Sequence, residues 1–156
     1  TAYIRYVTER KQLEDQVRES LRMTMQPKSP PGERTVAALT AYLRTLVPLP
    51  VAEWQKADDG AIARGERVFS NGGCSNCHAP PTYTNSHVYD VGLDDGEGGN
   101  KLFNPPSLRG VAHNAPYFHD GRAKTPEDVF RVHQHRLRTA PSDEDLSDLV
   151  ALLKSL

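Results

Sequence analysis

The stretch Gly73-Cys74-Ser75-Asn76-Cys77-His78, GCSNCH, contains both cysteines of the chain and sets a histidine directly after the second. Four chemistries use such a pattern. A disulfide inside C-x-x-C is strained and closes a loop too small to stabilise much. A thioredoxin-like redox couple needs a βαβ setting, whereas GAIARGERVFS (60–70) reads as a helix leading into the motif. Structural zinc needs two further ligands, for which His133 and His135 are available. C-x-x-C-H is also the attachment pattern of c-type haem. Two thiols about one helical turn apart add to the two vinyl groups on one porphyrin edge, and the adjacent imidazole turns to the iron. On that reading Cys74 and Cys77 are the thioether anchors and His78 is the proximal ligand.

The surroundings favour the haem reading. A helix precedes the motif, an irregular middle runs from about 79 to 124, and a last helix spans about 142 to 155. So long a loop argues against a compact domain unless something apolar fills it. A covalently held macrocycle does so, and the expected fold is all-α, a cytochrome c-like domain with helices wrapped round a covalent haem and long irregular loops. Ile62, Val68 and Phe69 line one face of the first helix, and Gly65 permits close approach of the last through Leu146, Leu149, Val150 and Leu153.

Length and charge narrow the function classes. At 156 residues the chain holds one domain, or one domain and part of another. Nineteen Lys and Arg stand against 20 Asp and Glu, with no long run of either sign, so nucleic acid is excluded as a partner. No apolar run reaches the length of a membrane span.

PGERTVAALTAYLRTL (31–46) and PSDEDLSDLVALLKSL (141–156) match when shifted by 110 positions. Pro31 pairs with Pro141, Leu39 with Leu149, Leu43 with Leu153 and Leu46 with Leu156. Residues 1–47 are therefore expected to be the helical C-terminal remnant of a preceding cytochrome c-like domain. A linker would follow over 48–59, stiffened by Pro48 and Pro50, and the haem domain would occupy 60–156.

Pro106-Ser107-Leu108-Arg109, then Ala115-Pro116-Tyr117-Phe118-His119-Asp120-Gly121, then Thr125 to Val129, form an ordered set of motifs. With ARGERVFSNGGCSNCHAPPTYT they resemble the C-terminal haem domain of the bacterial diheme cytochrome c peroxidase and MauG-like family. The resemblance covers most of 60–156 and implies two cytochrome c-like domains with one haem each, in agreement with the repeat. It implies a haem propionate contact for Arg109 and a role for the APYFHDG stretch in shaping the haem surroundings. His119 reads as a cap for the turn at Asp120-Gly121 and not as a catalytic group.

Peroxidases of the group place a distal methionine where this chain has His133. Met23 and Met25, the only methionines, lie far upstream, so the haem domain has no thioether of its own. His133 lies eight residues before Pro141 and Met23 eight before Pro31, so His-x-His in one copy replaces Met-x-Met in the other. His133 is the expected distal ligand and His135 the alternative. His87, His113 and Tyr117 are weaker candidates. Asp94, Asp95 and Glu97 lie in a glycine-rich stretch without the oxygen spacing of a calcium loop, and read better as a solvated turn than as a calcium site.

The function expected is a c-type haem electron-transfer domain of a diheme cytochrome c peroxidase or MauG-like oxidoreductase, passing electrons to or from an upstream haem domain of the same protein and serving a redox partner protein. The competing reading is a stand-alone or appended cytochrome c module without peroxidase chemistry. A zinc-stabilised interaction domain is the third. Covalent haem attachment in bacteria takes place outside the cytoplasm, which makes a periplasmic or otherwise extracytoplasmic location the expectation.

Overall fold

The computed structural model describes residues 12–26, 29–47, 58–93, 101–136 and 139–156. Asp94, Asp95 and Glu97, and all of the expected linker before Asp58, lie outside them. The described residues fall into two compact units, divided between Val47 and Pro48.

The first unit is a helical hairpin of α1 (Leu13–Met25) and α2 (Glu33–Thr45). Val17, Val36 and Thr40 are buried, and Arg18–Glu33 and Arg44–Glu14 ion pairs link the two helices at 2.9 and 2.7 Å. Met23 and Met25 are exposed.

The second unit is helix-rich with little strand. Its α3 (Asp59–Asn71) starts at Asp58, whose carboxylate accepts the Ala61 amide, satisfying one of the orphan donors of a first turn. The next helix, α4 (Pro126–Arg131), is short and opens with a reciprocal cap: Thr125 Oγ1 accepts from the Asp128 amide, and Asp128 accepts from that of Thr125. The backbone amides of Thr125 and Lys124 hold the Asp128 carboxyl below the usual range. The last helix, α5 (Asp143–Ser155), is capped by Ser142 on the Asp145 amide. One two-residue strand pair, β1 (Tyr89–Asp90) and β2 (Leu102–Phe103), runs antiparallel with Tyr89 opposite Phe103.

Helices α3 and α5 cross at Gly65, where a Cβ would stand 2.2 Å from the Asp148 carbonyl oxygen. Only glycine allows that approach. Beside the crossing, Arg64 forms a two-pronged ion pair with buried Asp148, at 2.7 and 2.9 Å, and holds its carboxyl below the usual range. Phe69, Phe130, Leu146, Leu149, Val150, Leu152 and Leu153 form the core. Each large apolar side chain buried there contributes about 2 kcal/mol. Cys74, Tyr83, Leu108 and Val111 pack against its edge, so the cysteine motif rests on the helix pair.

The repeat is visible in burial. Val36 and Leu146 are both buried, as are Thr40 and Val150, each pair 110 positions apart. Tyr42, by contrast, is exposed where its counterpart Leu152 is covered.

Candidate haem site

Helix α3 ends at Gly72, and Gly73 takes a positive φ of 74° to turn the chain into a single 3-10 turn over Cys74–Asn76. The Cys77 and His78 amides both close on the Cys74 carbonyl, at 3.2 and 2.9 Å. Both thiols are free, and burial pushes that of Cys74 up. The turn is thus compact, with the two cysteines and the histidine on consecutive corners.

His78 is held from behind. Its Nδ1 lies 3.1 Å from the carbonyl of Tyr83 and 3.1 Å from that of Pro106. Since carbonyls only accept, Nδ1 carries the proton and Nε2 is left with a lone pair, the form that ligates a metal. Burial lowers the pKa of the ring, with the two carbonyl contacts opposing, so the imidazole stays neutral near pH 7.

A polar web fixes the turn from its other side. Asn85 Nδ2 donates to the carbonyls of Cys77 and Asn76 at 2.9 and 3.2 Å, while Asn85 Oδ1 accepts from the His87 amide. Asn104 Nδ2 donates to the carbonyls of Asn85 and His87. These asparagines escaped the sequence reading. Their partners lie up to 19 residues away, and a lone Asn in a loop carries no periodic signal.

His133 and His135 follow α4. Both rings make edge contacts with Phe118, with centroids at 5.3 and 5.6 Å. They are otherwise unlike. His135 Nδ1 is buried with no hydrogen-bond partner, and burial pushes the ring's pKa down to about 4. The Arg136 charge, and that of His78 when it is protonated, add to that depression, so His135 lies within electrostatic reach of His78. Of the two, His135 is the one with a buried ring nitrogen left without a partner among the described residues. The backbone there, with positive φ at Gln134 and Arg136, is not deducible from spacing.

The remaining candidates are placed as follows. Arg109 is exposed and ion-pairs with no described residue. Tyr117 donates its phenol proton to the Val111 carbonyl at 3.2 Å and bridges Ala123. His119 stacks on Phe103 with centroids 4.7 Å apart. It does not cap its turn, which is closed by Asp120 accepting from Arg122, the guanidinium holding the carboxyl down to about 2. His87 and His113 are exposed. Among the described residues no three His, Cys, Asp or Glu side chains come together to hold a metal ion, so the four-ligand zinc clip is not assembled there.

The residues fit a covalent c-type haem. Two free thiols flank a tight turn, one imidazole has its outer nitrogen fixed and its inner one available, and a second, buried imidazole lacks a partner. An unpartnered buried nitrogen is costly unless something supplies its partner.

No family model matches the chain. It is 31% identical over 161 residues to the methylamine utilization protein MauG of Methylorubrum extorquens, covering 83% of this chain and 46% of that protein. It is 26% identical to the cytochrome c551 peroxidase of Nitrosomonas europaea, covering 80% of this chain and 44% of that one. The chain thus spans about half the length of the curated relatives it matches. In fold it is similar to a solved MauG-like protein associated with microbial copper homeostasis, with a TM-score of 0.63 and 19% identity over 86% of this chain and 60% of that one.

Proposed function

Starting from a chain that is a relative of MauG and the bacterial cytochrome c peroxidases, we propose that it carries one haem c and relays electrons to or from an upstream haem domain of the same protein. Cys74 and Cys77 would hold the haem through thioether bonds, with His78 as proximal ligand and His135, ahead of His133, on the distal side. Arg109 would meet a propionate. When bound, haem c supplies a one-electron ferric and ferrous couple. The observation that carries this reading is His78, whose Nδ1 serves two backbone carbonyls beside two free thiols and whose Nε2 is thereby left to ligate.

The chain's own residues support a relay role. Two neutral imidazoles stabilise the ferric state more than a histidine and a thioether do, which sets a low potential. A haem held by both His78 and His135 would leave no position for an oxidant, so oxidant chemistry would fall to the upstream domain. Phe118 walls the distal histidines. The first unit is read as the tail of that preceding cytochrome c-like domain, on the strength of the repeat. A redox partner protein and an extracytoplasmic location complete the proposal, and among the described residues no helix is long and apolar enough to cross a membrane.

The ferric protein should be low-spin, lack the near-infrared sulfur-to-iron band, and keep its spectrum on addition of peroxide. A high-spin spectrum that changes within seconds of adding peroxide would instead assign oxidant chemistry to this domain.

A further inference from the structure

The two carbonyls that grip His78 belong to segments that no strand pairing holds together among the described residues, since the β1–β2 pair lies beyond them at Tyr89–Asp90 and Leu102–Phe103. One segment is Thr82-Tyr83-Thr84 and the other is Pro105-Pro106-Ser107. Two of the three residues of the second are prolines. They have no amide N–H, so this segment cannot form an ordinary ladder with its neighbour.

Two hydroxyls take the place of that ladder, and they do so reciprocally. Thr84 Oγ1 donates to the Pro105 carbonyl at 2.5 Å, and Ser107 Oγ donates to the Thr82 carbonyl at 2.6 Å. Each bond joins the residue after one gripping carbonyl to the residue before the other. Tyr83 and Pro106 are therefore bracketed on both sides, and their carbonyls are held at equal distances, 3.1 Å, from His78 Nδ1.

We infer that Thr84 and Ser107 are positioning residues for His78: their crossed hydrogen bonds keep both carbonyls on its Nδ1–H and so tune the basicity of Nε2. Outer partners of a ligating histidine fix its tautomer and raise its donor strength. A more basic Nε2 favours the ferric state, so loosening the clasp raises the potential. The inference rests on the reading that His78 ligates haem iron.

The test uses the haem-loaded chain, with covalent haem counted by intact mass and the midpoint potential read by redox titration. Thr84→Val and Ser107→Ala should each keep one covalent haem and shift the potential upward, with a larger shift in the double variant. Thr84→Ser, which restores the hydroxyl, should return the potential to the wild-type value. Ser107→Ala removes one exposed hydroxyl group and gives an answer even if the Thr84 variant does not fold. If the variants melt earlier but titrate at the wild-type potential, the clasp is only structural and the inference fails while His78 stays as ligand. If the wild-type chain binds haem whose spectrum is indifferent to His78→Ala, the underlying reading fails instead.

Discussion

His78 and His135 lie within electrostatic reach of one another, yet one ring is tied at Nδ1 to two carbonyls while the other has a buried nitrogen with no partner. The first side rests on a turn pinned by Asn85 and, through Cys74, on the α3–α5 core. The second follows a helix of six residues and runs through two positive-φ positions, Gln134 and Arg136. The His78 side is thus fixed by the chain's own contacts, while the His135 side keeps a nitrogen without a partner, which a cofactor would supply under the proposed function. Such a division suits covalent attachment, because the thiols and His78 need to be presented together while the distal ligand can close afterwards.

The largest effect that would break this contrast is on the proximal side. His78→Ala should abolish the low-spin spectrum entirely, since it removes the imidazole that the two carbonyls hold in place. On the distal side, His135→Ala should convert the ferric protein to a largely high-spin form with haem still attached, whereas His133→Ala should leave it low-spin. The reverse pattern, followed by electron paramagnetic resonance, would return the distal role to His133.

Acid separates the two sides further. The folded-state pKa of His135 is about 4, below the 6.5 of a free imidazole. The unfolded chain therefore binds that proton first as pH falls, so the group's contribution is complete above 6.5 and is lost progressively toward 4. In the haem-free chain, stability in chemical denaturation that holds above pH 6.5 and declines from there toward pH 4 is the expected result, with a smaller decline in His135→Ala. An equal decline in His135→Ala would assign it to another group. The smallest expected effect is Asn85→Ala, which takes the donor from the Cys77 carbonyl and should cost about 1 kcal/mol in chemical denaturation, with the spin state unchanged.

How much of this could be read from the chain alone follows the range of the interactions. Helices were legible where local pattern and caps agree: 60–70 is found as Asp59–Asn71 and the final helix as Asp143–Ser155. The tight crossing at Gly65 was also foreseeable, since a glycine amid apolar helix positions has few other uses. The Arg64–Asp148 pair was not, because its members are 84 residues apart and an aspartate on a helix reads as solvent-facing. Helix α4 was passed over although Thr125 and Asp128 spell its capping box, a signal that lay within the family motif. The cysteine motif is compact and local, so its side of the site is proposed from spacing alone. The sign that sets His135 apart from His133, the burial of one nitrogen, and the hydroxyl clasp of Thr84 and Ser107 both depend on tertiary contacts between loops.

The central claim is that this chain carries one haem joined to Cys74 and Cys77. An intact-mass measurement under denaturing conditions, paired with a pyridine haemochrome spectrum, tests it most directly. The chain produced in cells equipped for c-type attachment should be heavier than its sequence by one haem and give the spectrum of a haem with both vinyl groups saturated. The Cys74→Ala, Cys77→Ala double variant should run at the apoprotein mass with no haem retained. A wild-type chain at the apoprotein mass, or a double variant that still holds haem through denaturation, would contradict the account.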